Sequence, residues 1–427
     1  MTNRFQDRLF APPVQGRAIF PGWYVVGFTF VMQFIAMGLV YYSFGVYLKP
    51  LAEALETSRF SISLTLSIEA IVVACVAPMI ARLYAEVQIR RMLTLGTCAL
   101  AFGLMSMSLI QETWQLYVVF GGGVALGLVS LTAIPSNLLL ANWFDRRRGL
   151  AMGISQFGIS ISAAVLVPVV TWLFLTLGWR TAFVVCGAAA GLVLVPMIWL
   201  FAVKTPEEVG LSPDGTFSAK APKAPEPVTW TFRQALATRD VWLITLIVGP
   251  CNLGIASVLL SLPAYATDLG ISEMRASSVV ALTAVFGAIA KIVLGMLADR
   301  LNLKLVVALA VLFQVLGVVL LLLNTSYEGM LVAAVVFGFG YGGTAPLWAI
   351  LLANQFGRES FPTIMGANMP MLMPFGLIAL PLTNWIFEVQ GSYHSAYVSL
   401  IGWYVLAALA LALLPVRNQP RQQGQLA

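Results

Sequence analysis

Lys291 lies deep inside a long apolar segment, where its charged side chain could recognise an anion. It precedes Asp299 by eight residues, which is about 12 Å along a helix at roughly 1.5 Å per residue. A lysine side chain can snorkel only about half that distance. An ammonium group at that depth costs several kcal/mol unless it is paired or faces an aqueous cavity. We therefore predict anion recognition by Lys291, and the alternative is an ion pair that locks two helices together.

Glu69 is the only acid well inside an apolar segment. It lies about 10 residues from the polar end of that segment and is therefore roughly 12–15 Å deep. Burial disfavours the charged form of a carboxylate, so Glu69 is a candidate proton carrier at neutral pH. The alternative is a protonated side chain that only hydrogen-bonds a neighbouring helix.

Several uncharged polar and aromatic side chains also lie within apolar segments, where they could line a binding cavity. The candidates for substrate contact are Tyr41, Tyr42, Asn252, Trp348 and Asn368. Polar side chains in membrane helices also join one helix to another. Each of these residues is therefore open to both interpretations.

The motifs and residue clusters of common enzymes are missing from the sequence. It has no G-x-x-x-x-G-K-[ST] loop for nucleotide phosphates, and His394 is its only histidine, so a histidine-ligated metal has no ligand set. The four cysteines lie in apolar runs and form no C-x-x-C pair. We expect no enzyme activity, no metal and no cofactor.

The composition is that of a membrane protein. Of the 427 residues, 59% are hydrophobic and 10% are charged, whereas soluble domains have roughly 45–50% and 25%. A spanning helix needs about 20 apolar residues, so this chain is long enough for twelve. The predicted spans lie at about 22–47, 61–83, 92–110, 115–141, 149–176, 179–203, 240–266, 276–298, 304–324, 328–353, 361–386 and 393–415.

The positive charges predict the orientation in the membrane. If the N-terminus is cytoplasmic, the inside segments hold 19 Lys and Arg residues and the outside loops hold four. By the positive-inside rule both termini are then cytoplasmic. We expect a multi-pass protein of the plasma (inner) membrane. The same distribution accounts for the net charge of +6 without nucleic acid as a partner.

Three landmarks recur at half the chain length. The motif NWFDR from Asn142 returns as NQFGR from Asn354, and GWRTAF from Gly178 returns as GSYHSAY from Gly391. ARLYAEVQIRR from Ala81 has its counterpart in GMLADRLNLK from Gly295, again about half the chain length later. An offset of six helices means parallel repeats. The sequence therefore predicts an all-α membrane protein with two six-helix bundles, related by a pseudo-two-fold axis along the membrane normal.

The longest polar stretch runs from Lys204 to Asp240, contains five prolines and is too poor in apolar residues to fold alone. We therefore predict an N-terminal six-helix bundle at 1–203, a cytoplasmic linker at 204–239 and a C-terminal six-helix bundle at 240–427.

The sequence GMLADRLNLK resembles a loop motif of the major facilitator superfamily, where it lies between the second and third helix of each half. GWRTAF is similar to the start of the sixth helix in that family. The resemblance spans nearly the whole chain and implies the same fold. It also implies a gating role for Asp299 and Arg300 at the cytoplasmic mouth of the second half.

A narrower resemblance is to monocarboxylate transporters and bacterial oxalate/formate exchangers. It rests on SFGVYLKPL in the first span, WFDRRRGLAMGI before the fifth and AKIVLGMLAD in the eighth. That family has a basic residue eight places before the loop acid, which is Lys291 here. Helices one, seven and eleven line its cavity, which implies substrate contact by Tyr42, Asn252 and Asn368.

Together these features predict a secondary active transporter of a small organic monocarboxylate, coupled to protons and working by alternating access. One buried cation neutralises one carboxylate, whereas a dianion would require two. The alternatives are an organic-anion exchanger or drug-type exporter of the same fold and, from another class, a transport-like membrane sensor. A sensor would need a soluble output domain, for which about 37 linker residues are too few. We expect a monomer in the lipid bilayer.

Overall fold

The computed structural model describes residues 20–215, 230–324 and 326–415, and within these ranges it contains helices and no β-strand. The composition predicts this all-α fold, because a helix satisfies its backbone hydrogen bonds within its own segment when no water is present. The chain divides into two units, residues 1–223 and 224–427.

The first unit consists of long apolar helices joined by short turns. Its α-helices in the described residues are α1 (Gly22–Met37), α2 (Phe44–Ala54), α3 (Arg59–Glu86), α4 (Ile89–Ser106), α5 (Thr113–Val118), α6 (Ala125–Leu131), α7 (Ala133–Trp143) and α8 (Arg148–Phe201). Two π-helical segments, Gly38–Tyr42 and Val119–Val124, lie between α1 and α2 and between α5 and α6. Helix α8 packs against α1 and α4, and the buried faces are apolar, as at Phe28, Leu104 and Phe183.

The second unit has the same character. Its α-helices in the described ranges are α9 (Phe232–Ala237), α10 (Arg239–Asp268), α11 (Glu273–Arg300), α12 (Leu303–Leu323), α13 (Tyr327–Gly342), α14 (Thr344–Gln390) and α15 (His394–Leu413). Helix α13 packs against α11 and α12, and α10 packs against α14 and α15. The core of this unit includes Leu262, Phe337 and Tyr397, which are almost completely buried.

The helical stretches of the described residues give twelve membrane spans, because two of them are long enough to cross the membrane twice. The described residues contain ten helical stretches long and apolar enough to cross a membrane. The stretches Arg148–Phe201 and Tyr327–Gln390 have 54 and 64 residues, and each is far longer than the roughly 30 Å of a bilayer core requires. Each is interrupted by a glycine in a left-handed conformation, Gly178 at φ 74° and Gly357 at φ 79°. The predicted count is therefore confirmed.

The repeat found in the sequence is also a repeat of helices. Helices α3 and α11 both have 28 residues, and they begin at Arg59 and Glu273, half the chain length apart. The helices that follow them, α4 and α12, begin with the same offset. Gly178 and Gly391, which begin the second pair of motifs, both have a positive φ angle, 74° and 68°. The two units therefore place their turns at corresponding positions of the chain.

Both ends of the predicted linker pack against a unit of the structure. In the first unit Asn142 Nδ2 donates to the carbonyl oxygen of Lys204 (3.0 Å), and Asp214 Oδ2 accepts from the backbone N–H groups of Asp145 and Arg146 (2.9 and 2.6 Å). In the second unit the ring of Trp230 packs edge-on against Phe356 at 5.6 Å. Residues 216–229 lie outside the described ranges, and the predicted boundaries stay a prediction.

Glycines bring helices of the second unit into close contact. A Cβ atom at Gly342 would lie 2.0 Å from the carbonyl oxygen of Gly287, and one at Gly340 would lie 2.6 Å from the backbone nitrogen of Gln314. Such spacing is closer than any side chain allows, so α13 meets α11 and α12 backbone to backbone. Small residues permit this approach in membrane helices.

We expect Gly342→Leu to destabilise the protein strongly, because α11 and α13 would have to move apart. Overpacking of this kind costs roughly 1–3 kcal/mol, which lowers Tm by about 1–3 °C in a chain of about 400 residues that unfolds as a whole. The measurement is thermal unfolding of the purified protein in detergent. Gly402→Leu is the matched control, because no atom lies within 4 Å of a Cβ at Gly402. Equal Tm values for the two variants would contradict the packing role.

Candidate functional site

Lys291 is buried in the second unit, as its position in the sequence predicts. Its residue exposure is 8%, and it lies nine residues before the end of α11 at Arg300. One turn earlier Gly287 contacts α13, and one turn later Leu294 lies against Gly343. These contacts on either side fix the backbone of α11 around Lys291.

Asn368 and Trp348 come together in the same unit. The Trp348 indole Nε1–H donates to Asn368 Oδ1 (2.8 Å), and Asn368 Nδ2 donates to Thr245 Oγ1 (2.6 Å). Asn368 has no exposed surface, whereas Trp348 is only partly buried. We call these three side chains the Asn368 cluster. It joins α10 to the two parts of α14 on either side of Gly357. The sequence left open whether these side chains line a cavity or join helices, and their hydrogen bonds join helices.

Asn252 lies on α10 and is also partly buried. It is not among the hydrogen-bond partners of the Asn368 cluster. Substrate contact by Asn252, Asn368 or Trp348 stays a prediction. The partly open indole of Trp348 is the member of the cluster that a ligand could reach.

Tyr41, Tyr42 and Glu69 form a second group, in the first unit. Glu69 lies on α3 and is buried, with 4% of the residue exposed, and Tyr41 is close enough to interact electrostatically with it. The rings of Tyr41 and Tyr42 meet edge to face at 6.2 Å. Tyr41 thus lies within electrostatic range of the predicted proton carrier, and Tyr42 packs against Tyr41. Direct contact with a substrate stays a prediction for both tyrosines.

The two tyrosines end the π-helical segment Gly38–Tyr42, which the sequence did not predict. A π-helical turn displaces backbone carbonyls from their usual partners, and such turns are frequent at functional sites. Here the Ser43 hydroxyl donates to the carbonyl oxygen of Gly38 (2.8 Å), and the Tyr47 hydroxyl donates to that of Leu39 (2.6 Å). These two hydroxyl groups bond carbonyl oxygens of the π-helical turn, but they leave no periodic signal in the sequence.

The second π-helical segment, Val119–Val124, lies against α3 beside Glu69. A Cβ atom at Gly121 would lie 2.7 Å from Ile68 Cγ2 and 3.8 Å from the backbone nitrogen of Glu69. The missing side chain at Gly121 lets this segment approach α3 closely. Two π-helical segments are therefore associated with Glu69. One carries Tyr41 and Tyr42, and the other packs against α3.

Asp299 and Arg300 end α11. Asp299 is partly buried and Arg300 is exposed, and the positive charge of Arg300 in the last turn is favourable to the helix dipole. The Asn302 side chain then accepts from the backbone N–H of Lys304 (2.9 Å) and starts α12. This geometry explains the sharp turn, and gating by the two residues stays a prediction.

No cluster of three His, Cys, Asp or Glu side chains suitable for a metal occurs in the part of the chain that the structure describes. The site chemistry available is therefore that of a buried ammonium group, a buried carboxyl group, an indole and phenol rings. These groups can bind an organic anion and carry a proton.

Within the described ranges, twelve apolar spans in two repeated units, with charged groups buried inside them, define a multi-pass membrane protein of the transporter class. Residues 29–265 and 242–426 match the family model of the Major Facilitator Superfamily. The chain belongs to that family. It is a transporter and not an enzyme.

Relatives of known sequence include monocarboxylate transporters. Monocarboxylate transporter 13 of Bos taurus is 25% identical over 399 residues, covering 90% of this chain and 87% of that protein. Monocarboxylate transporter 2 of Homo sapiens is 24% identical over 415 residues, covering 92% and 85%. The resemblance predicted from the sequence motifs is confirmed.

Solved transporters share the fold. The proton:xylose symporter XylE, bound to 6-bromo-6-deoxy-D-glucose, superposes with a TM-score of 0.72 at 13% identity, covering 92% of this chain and 96% of that one. FucP in the outward conformation gives a TM-score of 0.68 at 14% identity, covering 92% and 99%. At such low identity these structures show the fold alone.

Proposed function

We propose that this protein is a secondary active transporter of a small organic monocarboxylate, driven by proton symport and working by alternating access. The observation that carries the proposal is the burial of Lys291 within α11. A buried ammonium group attracts one carboxylate strongly because little water screens the two charges. A single cation suits a monoanion, and the names of the related monocarboxylate transporters support this substrate class.

The Asn368 cluster supplies a surface for the rest of the substrate. The face of an indole offers apolar contact, and the hydrogen bond to Asn368 fixes the ring of Trp348 in one orientation. Asn368 thus acts as a positioning residue. Tyr41, Tyr42 and Asn252 are the further candidates for substrate contact.

We expect Asn368→Ala to weaken substrate binding, because the Trp348 indole would lose its acceptor and its fixed orientation. Loss of a hydrogen bond of this kind costs about 0.5–1.5 kcal/mol, which corresponds to roughly 2- to 13-fold in affinity if the cost falls on the substrate-bound state. The measurement is substrate affinity by quenching of tryptophan fluorescence. Thr245→Val is the matched control, since it removes the other end of the cluster and leaves the Trp348–Asn368 bond intact. Equal losses in both variants would contradict the positioning role.

Glu69 is the proposed site of proton coupling. It is buried within electrostatic range of Tyr41, whose phenol can hydrogen-bond water or a carboxyl group. Burial stabilises the neutral form of a carboxyl group, and access to water from one side or the other would allow it to exchange its proton. Asp299 and Arg300 are proposed to gate the cytoplasmic mouth, and both termini are proposed to be cytoplasmic in the plasma (inner) membrane.

The test is uptake by proteoliposomes that contain the purified protein. A panel of radiolabelled monocarboxylates and dicarboxylates is supplied with and without an inward proton gradient. Symport predicts accumulation of one or more monocarboxylates that depends on the gradient. Exchange without any gradient-driven accumulation would favour the organic-anion exchanger, and uptake of dicarboxylates alone would contradict the proposed substrate.

A further inference from the structure

The second unit has a large apolar groove between α12 and α15. Its volume is about 550 Å³. Among its lining residues are Leu305, Ala308 and Leu312 of α12 and Val405 and Ala408 of α15. All five are exposed, so the groove opens on the outer face of the two helices. A protein that spans a membrane presents such a face to lipid or to another protein.

Lys304 closes one end of this groove. It is the second residue of α12, and its Nζ donates to the carbonyl oxygen of Ala412 near the end of α15 (3.5 Å). An ammonium group has three donors, of which this bond uses one. No acidic side chain pairs with Lys304 within the described ranges. The groove therefore combines an apolar body with a positive charge at the end of a membrane span.

The length of the groove matches one leaflet of a bilayer. It extends along α12 from Lys304 to Val315, which is about 16 Å at roughly 1.5 Å per residue. Half of a hydrocarbon core about 30 Å thick is nearly the same length. An acyl chain that begins at the headgroup level beside Lys304 would therefore end near Val315 and Tyr404, at the deep end of the groove.

We propose that this groove is a binding site for an anionic phospholipid, with an acyl chain between α12 and α15 and the headgroup on Lys304. Basic pockets between membrane helices are known to bind anionic headgroups. Here the charge selects the headgroup and the apolar walls hold the chain. The inference is independent of the transported substrate, because it concerns the outer face of one unit.

The test uses the full-length protein in detergent, titrated with phosphatidylglycerol or with phosphatidylcholine of the same acyl chains. Bound lipids are counted by native mass spectrometry. The unmodified protein is expected to bind one phosphatidylglycerol more tightly than phosphatidylcholine. Lys304→Gln is expected to weaken phosphatidylglycerol binding about fivefold, as for the loss of one cation near an anionic surface. Arg91→Gln, a matched loss of charge near the start of α4, is expected to leave binding unchanged.

Ala408→Phe tests the body of the groove without changing its charge. Ala408 is exposed, so the larger ring can enter the groove without disturbing the core. It is expected to weaken binding of both lipids. Equal binding of the two lipids by the unmodified protein, or no effect of Lys304→Gln, would overturn the proposal. A dimer that Ala408→Phe dissociates would also overturn it, because the groove would then be an interface between copies of this chain.

Discussion

Lys291→Gln is expected to abolish transport and to raise the substrate Kd by at least about 30-fold. Glutamine keeps the length and polarity of the side chain approximately and removes the charge that neutralises the carboxylate. Truncating one partner of a buried charge pair costs about 2–5 kcal/mol, from which this factor follows. The measurement is equilibrium binding of the monocarboxylate identified by the uptake panel.

Lys291→Arg is the matched variant, because it keeps the charge in a larger side chain. It should retain more binding than the glutamine variant. The competing interpretation, an ion pair that locks two helices, makes a different prediction. In that case Lys291→Gln lowers Tm, while the protein that remains folded binds the substrate with unchanged affinity. An unchanged Kd in the glutamine variant would remove Lys291 from the site.

Long-range organisation could be predicted from this sequence because the bilayer imposes simple rules. The length of each apolar run indicates a span, and the recurrence of short motifs indicated that the spans form two repeats. The structure confirms both, down to the equal lengths of α3 and α11. The close contacts at Gly340 and Gly342 have the same origin, because small residues let apolar helices approach each other closely.

Local deviations from the α-helix could not be predicted. The π-helical segment Gly38–Tyr42 depends on one additional residue per turn and on acceptors for Ser43 and Tyr47, and neither alters the apolar pattern. The docking of the linker through Asp214 was missed for a similar reason. A single carboxylate that caps two backbone N–H groups leaves no periodic signal in a polar, proline-rich stretch.

The candidate residues were found more readily than their partners. Lys291 and Glu69 are recognisable because a charge inside an apolar segment is costly. The hydrogen bonds of Asn368 to Trp348 and Thr245 join residues up to 123 positions apart, and their pairing requires the packed helices. Sequence alone could therefore place Asn368 in a cavity or between helices, and the structure shows the bonds between helices.

Glu69→Gln is expected to eliminate proton-driven accumulation and to preserve exchange. Glutamine resembles a protonated carboxyl group that cannot release its proton. The variant should therefore bind substrate, and its binding site should switch from one side of the membrane to the other only when substrate is bound. For one proton per substrate, a gradient of one pH unit supplies about 1.4 kcal/mol and drives roughly tenfold accumulation. The unmodified protein should approach this ratio, whereas the variant should remain near one.

The measurement is made in proteoliposomes, with exchange of internal for external radiolabelled substrate recorded in parallel with accumulation. Glu86→Gln is the matched control, since it makes the same chemical change at the exposed end of the same helix, α3. It should leave both activities intact. Loss of exchange together with accumulation would mean that Glu69 supports the fold or the substrate site. Full accumulation in the Glu69 variant would contradict the coupling role, because a group that cannot release a proton cannot carry the gradient.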